Sequence, residues 1–195
     1  MRKIIFFDTE TNGKPVNYKA PLSEIANWPR ITQLAWIQTD ETGKILRRQQ
    51  LFTKLDGWEI PSEEFFVKNG HTNERQQVLG IPALTALQLF LSDLLESEYL
   101  VAHNIAFDYP VFGAECIRYG LWGFDDPTVR ICTMQVGTNI TKIPARHGYK
   151  WPTLYELHKH LFNKGFSGAH DALADIIACK DCFFEMVKKG SIKLS

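Results

Sequence analysis

In residues 3–12, KIIFFDTETN, two acids, Asp8 and Glu10, follow directly on the large apolar residues Ile4 to Phe7. Strand side chains alternate between faces, so acids two apart project to the same side. Carboxylates held that close repel, and partial burial against Phe6 and Phe7 raises the cost of ionising them. Either both face water at the end of the strand, or a hard divalent cation such as Mg²⁺, which takes oxygen ligands, offsets their charge. The second reading needs further carboxylates from elsewhere in the chain. VAHNIAFDYP supplies Asp108, four residues after Asn104, where another apolar run breaks into polar residues. GFSGAHDALADI supplies His170 and, five positions later, Asp175, which alone also reads as a solvated helix residue.

The elements that must hold these side chains follow from periodicity. The apolar run before Asp8, closed by Asn12-Gly13, predicts a strand covered on both faces. After a long connection over residues 13–30, ITQLAWIQT and ILRRQQLFTKL predict two antiparallel strands joined by the turn DETGK, completing a three-stranded meander. Pro61 and Ser62 suit a helix start. ALTALQLFLSDLLES predicts an amphipathic helix whose apolar face carries Leu84, Leu87, Phe90, Leu91, Leu94 and Leu95. EYLVAHN and TVRICTM predict a fourth and a fifth strand; YPVFGAECIRYGL, TLYELHKHLF and DALADIIACKDCFFEMVKK predict helices. Antiparallel strands first and α/β alternation later argue an α/β fold with a mixed sheet flanked by helices. The acids then gather where strands end and loops begin, the usual place for chemistry in such sheets.

The chain has 195 residues, room for one such domain and too few for two of full size. Hydrophobic content of 45% and charged content of 23% exclude a disordered or fibrous chain. Formal net charge is +0, so no global field draws in polyanions, and local patches must do so. One such patch is TKIPARHGYKW, where Lys142, Arg146, His147 and Lys150 interleave with Tyr149 and Trp151: a solvated loop, or a surface pairing cations with phosphates and rings with bases. MRKIIFF has too short an apolar run for a signal peptide and no stretch approaches a spanning helix, so a cytoplasmic protein with no membrane partner is expected. Cys116, Cys132, Cys179 and Cys182 are expected as reduced core thiols. Cys179 and Cys182 form a C-x-x-C, yet Ala172, Ile176, Cys179, Phe183 and Val187 recur at helical spacing, which makes Cys179 core.

Taken together, FFDTET, HNIAFD and HDALAD, in this order, resemble the motifs of the DEDDh exonucleases. That RNase-H-like 3′–5′ exonuclease superfamily includes polymerase proofreading subunits, RNase T and oligoribonuclease. The resemblance runs from residue 4 to about residue 187. It implies an RNase-H-like five-stranded mixed sheet, with residues 1–195 as a single exonuclease domain. It also implies a metal-dependent enzyme that releases nucleoside 5′-monophosphates from the 3′ end of single-stranded DNA, or somewhat less readily RNA, in proofreading, repair or turnover. Asp8 would bridge two Mg²⁺ or Mn²⁺ ions, Glu10 and Asp175 would hold the ion carrying the attacking water, and Asp108 would support the other. His170 would be the general base. Thr9, Thr11, Asn104, Phe107, and His71 and Thr72 of NGHT would contact the terminal nucleotides, although His71 also reads as a surface turn residue and Phe107 as core. A polymerase partner or a homodimer is compatible with the family. Two features depart from it: the fifth strand ends RICTM where many relatives have Asp-Thr, and the 13–30 connection is long.

DTET also approaches the Asp-x-Asp-x-Thr of haloacid-dehalogenase phosphatases, but the second acid is Glu, and no later strand supplies their paired acids except the loop-like GFDDPT. A catalytically silent nucleic-acid-binding module would be expected to lack some of the five residues.

Overall fold

The computed structural model describes residues 2–121, 126–168 and 171–194. Its first strands, β1 (Lys3–Thr11), β2 (Ile31–Asp40) and β3 (Ile45–Phe52), form the expected antiparallel meander. The chain then runs through α1 (Glu64–Lys68), α2 (Asn73–Leu79) and α3 (Ala83–Leu95) to β4 (Tyr99–Ala102). After α4 (Ile105–Arg118) comes β5 (Val129–Cys132), and α5 (Thr133–Thr141), α6 (Leu154–Phe162) and α7 (Ala172–Lys188) follow. β4 lies parallel to β1, and β5 parallel to β4, giving the mixed order β3-β2-β1-β4-β5 expected of an RNase-H-like α/β fold.

Side-chain parity along β1 decides what each face of the sheet meets. Ile4 and Phe6 are buried with Ala172, Ile176, Cys179 and Phe183 of α7, and the Phe6 and Phe183 rings meet edge to face at 5.2 Å. Ile5 and Phe7 turn the other way, onto Leu87 and Phe90 of α3 and Val111 and Phe112 of α4. Each face thus fills its own core. Asp8 and Glu10 share parity with Ile4 and Phe6, and so belong to the α7 side.

Four differences from the sequence-based expectation bear on the site. β1 does not end at its acids: it stays paired with β2 through Glu10, opposite Gln33, whereas its ladder with β4 stops at Phe6 and Val101. Asp8 and Glu10 therefore stand beyond the carboxyl end of β4, in the crevice left where that neighbour turns away. The fifth strand is shorter than TVRICTM and gives way at Thr133 to α5, a helix with weak periodicity in sequence. α5 packs tightly on α6: a Cβ at Gly137 would lie 2.9 Å from Leu157 Cδ1. Finally, the buried stripe of α3 is rotated. Leu84 and Leu95 are exposed, while Asp93 is buried and accepts a 2.7 Å hydrogen bond from Trp36 Nε1. All four cysteines are free and buried, as expected.

Candidate active site

β1 brings Asp8 and Glu10, and α7 brings Asp175, so that one carboxylate oxygen from each lies within 4.8 Å of the others. The start of α7 is held from the meander. Asp171 caps the helix by accepting from Ala174 N at 3.1 Å, and its other oxygen accepts from Gln50 Nε2 at 2.9 Å. Gln33, opposite Glu10 on β2, accepts from Ala172 N at 3.4 Å. One turn further on, Asp175 faces the sheet acids because Ile176 and Cys179 of the same helix are committed to the core.

Asp108 arrives from the opposite face. Asn104 adopts a left-handed conformation (φ 75°), which lets the chain reverse from β4 into α4. Asp108 lies in the first turn of that helix. Thr9 has the parity of Phe7 and so points toward α4, where its backbone N–H and its hydroxyl both donate to Asp108 Oδ1, at 3.0 and 2.8 Å. The interleaved D-T-E thus serves both sides of the sheet: its acids meet α7 and its threonine fixes the acid on α4.

Burial, followed by repulsion from Asp108, Glu10 and Asp175, holds the Asp8 carboxyl well above its ordinary range. Burial and Asp175 push Glu10 up to about 8, and burial pushes Asp108 up to about 7 against the opposing Thr9 hydrogen bonds. Among the described residues no Lys or Arg forms an ion pair with these three acids; the His71 ring stands beside them, its Nε2 3.9 Å from Glu10 Oε2. Oxygen-only ligands of concentrated and uncompensated charge suit a hard divalent cation.

Thr9, Glu10, Asn104 and Phe107 line two adjoining cavities, of about 470 and 640 Å³. The first also holds Asp8, Asp108 and Asp175, and the second runs past Thr11, Tyr18 and Phe66. Phe107 lines the cleft and also packs against the core. His71 is not a surface turn residue, since it is buried beside Glu10. The Thr72 hydroxyl caps α2, accepting from Arg75 N at 3.2 Å, and the Thr11 hydroxyl donates to Gly13 O at 2.7 Å. His170 lies outside the described residues, as do Gly123, Phe124 and Asp125 of GFDDPT.

One cleft residue, His103, escaped the sequence reading. His103 sits between Thr133 Oγ1 and the Pro152 carbonyl, each at 3.0 Å. A carbonyl can only accept, so Nε2 carries the proton and Nδ1 accepts from the Thr133 hydroxyl. Burial lowers the pKa of this histidine to about 4 and keeps it neutral. Trp151, legible as part of a basic and aromatic stretch, lines the cleft beside the carboxylates. His158, in sequence an ordinary helix-face residue, is instead buried and donates from Nδ1 to the Lys164 carbonyl at 2.9 Å.

No family model matches the chain, and no curated protein sequence matches it. Solved structures of exonuclease I share its fold. One, whose architecture is described as suggesting how processivity is achieved, superposes with a TM-score of 0.74 at 19% identity over 96% of this chain and 41% of that one. Escherichia coli exonuclease I bound to a dT13 oligonucleotide gives 0.72, again at 19% identity and with 96% and 41% covered. The zinc-bound form of the E. coli enzyme with single-stranded DNA gives 0.71 with the same identity and coverage. This chain therefore spans about two fifths of the length of those proteins, and at such identity the likeness is one of fold.

Proposed function

We propose that this chain is a metal-dependent 3′–5′ exonuclease that removes nucleoside 5′-monophosphates from single-stranded nucleic acid, DNA before RNA, with residues 1–195 forming one exonuclease domain. The observation that carries the reading is the meeting of Asp8, Glu10 and Asp175 within 4.8 Å, with Asp108 held next to them by Thr9. The exonuclease I structures of the same fold include complexes with dT13 and dA16 and a zinc-bound form, which supports a nucleic-acid substrate and a metal requirement.

Asp8, Glu10, Asp108 and Asp175 would hold two Mg²⁺ or Mn²⁺ ions. Bound there, such ions supply Lewis-acid stabilisation of the charge developing at phosphorus and on the attacking and leaving oxygens. The rest of the work falls to the chain itself. Thr9 keeps Asp108 oriented through two hydrogen bonds to one oxygen. The buried His71 ring lies against Glu10, its Nε2 3.9 Å from Oε2. Phe107 and Asn104 form the wall common to both cavities, where the terminal nucleotides would lie, with Thr11 lining the second. His170, five residues before Asp175, would accept the proton of the attacking water, a role suited to a group with a pKa near 6.5. A phosphatase of the haloacid-dehalogenase kind finds less support, because the two later parallel strands deliver no acid pair at their carboxyl ends: β4 ends in Ala102 and β5 in Cys132.

The test is degradation of 5′-labelled and 3′-labelled single-stranded DNA and RNA oligomers with Mn²⁺ or with EDTA, comparing wild type and Asp8→Ala. Metal-dependent shortening from the 3′ end, absent in Asp8→Ala, is the expected result. Intact oligomers with folded wild-type protein would refute it.

A further inference from the structure

One surface beside the cleft is not used by the chemistry above. From Pro127 to Tyr155 the sequence has four Lys or Arg and no Asp or Glu, in a chain whose formal net charge is +0. Three of those cations, Lys142, Arg146 and Lys150, lie on a hairpin between α5 and α6. The hairpin is ordered: Pro144 and Tyr149 form an antiparallel bridge, Ala145 N donates to Gly148 O and Lys150 N to Ile143 O, both at 3.0 Å. Its turn uses Gly148 at φ 74°, where any other residue would be strained.

Beyond the hairpin the chain enters the cleft. Trp151 is 63% exposed, yet it lines the same cavity as Asp8 and Asp175. The backbone that follows it is anchored twice. Pro152 is buried and its carbonyl is held by His103, and Thr153 with Glu156 makes a capping box at the start of α6. Lys150 is paired with Glu156 at 2.6 Å, whereas among the described residues Lys142 and Arg146 form no ion pair. An exposed indole fixed at the rim of a site, with unpaired cations a few residues away, is the combination that binds single strands: rings stack on bases of any identity and cations meet phosphates.

We propose that the hairpin of residues 142–150 and Trp151 form a track for a single DNA strand leading to the carboxylate cleft, with Trp151 stacked on a base and Lys142 and Arg146 on phosphates. The proposal rests on the nuclease reading for what lies at the end of the track. It explains how a chain without net positive charge engages a polyanion: the acid-free run concentrates cations on one side of the cleft, while the acids are gathered inside it.

The test is binding of 5′-fluorescein-dT12 followed by anisotropy in Ca²⁺, with strand integrity checked on a gel. Trp151→Ala is expected to weaken binding about tenfold, the effect of one lost base stack, and Trp151→Phe to restore much of it. Lys142→Gln/Arg146→Gln is expected to flatten the dependence of log affinity on log salt by about 0.7 for each lost phosphate contact. Wild-type protein that fails to bind dT12, Trp151→Ala that binds like wild type, or Trp151→Phe as weak as Trp151→Ala would each overturn the track. If Trp151→Ala does not fold, the exposed double variant decides, and an unchanged salt slope counts against the proposal. Failure of the nuclease reading is seen separately, as wild type that binds dT12 but does not shorten it in Mn²⁺.

Discussion

At the scale of single residues, the site is a balance between burial that favours neutral carboxyls and a function that needs them ionised. At Asp108 Thr9 works against burial, because its two hydrogen bonds stabilise the charged form while burial, the larger effect, opposes it. Thr9→Val keeps the backbone bond and removes the hydroxyl one. Partners that orient metal ligands are typically worth about 10–100-fold in metal affinity or activity. Oligomer hydrolysis by Thr9→Val should fall within that range, with a raised Mn²⁺ requirement; wild-type Mn²⁺ dependence would remove Thr9 from the site. Asp8→Asn should cost more than an orienting partner does, since it deletes a ligand. This much was legible, because strand parity alone puts Asp8 with Glu10 and turns Thr9 the other way. That Thr9 finds Asp108 was not, because it depends on how α4 seats against β1 across 99 residues.

Elements decide whether those residues meet. Asp175 reaches the β1 acids only while α7 is locked to the sheet, and that lock has two parts. Phe183, fully buried against Phe6, supplies apolar burial, and the Gln33 and Gln50 side chains fix the first turn. Phe183→Ala should lose about 3–5 kcal/mol of stability, the usual cost of emptying a buried aromatic site. Gln50→Ala should cost far less stability, since one hydrogen bond is worth about 1 kcal/mol net. It should nevertheless lower activity, because it frees the turn that aims Asp175. Denaturant unfolding and oligomer hydrolysis measured on both variants separate the effects; Gln50→Ala with wild-type activity would show that the cap alone aims the helix. The meander, α3 and α7 were readable from periodicity. α5 was not, because TMQVGTNI has little apolar pattern and folds as a helix by packing Gly137 against Leu157. The rotated stripe of α3 was hidden for a related reason: Trp36 Nε1 and Gln38 on β2 demand buried acceptors, and Asp93 answers both.

For the whole molecule, the buried titratable groups set opposing pH dependences that metal should separate. Glu10 at about 8 and Asp108 at about 7 hold protons in the folded protein that the unfolded chain, with carboxyl pKa values near 4, gives up. Stability without metal must therefore fall as pH rises from about 4 to 8. His103 acts in the other direction. Its folded pKa of about 4 lies below the unfolded 6.5, so its contribution is complete above pH 6.5 and is lost as pH falls toward 4, roughly 3 kcal/mol in all. In EDTA the single histidine offsets only part of the carboxyl effect, so stability should fall gently from about pH 4 to 6.5 and more steeply from there to pH 8. Saturating Mn²⁺ at about 100 times its Kd should add about 2.7 kcal/mol, or roughly 5–10 °C in Tm for a chain of this size. That gain should be larger at pH 8 than at pH 5, because the ion competes with protons for the same oxygens. Asp8→Asn should lose most of the gain and, in EDTA at pH 8, should melt above wild type, since it removes a charge that the fold resists. Equal melting temperatures with and without Mn²⁺ at pH 8 would mean that the acids of β1 and α7 hold no cation, and the chemistry proposed for the cleft would fall with them.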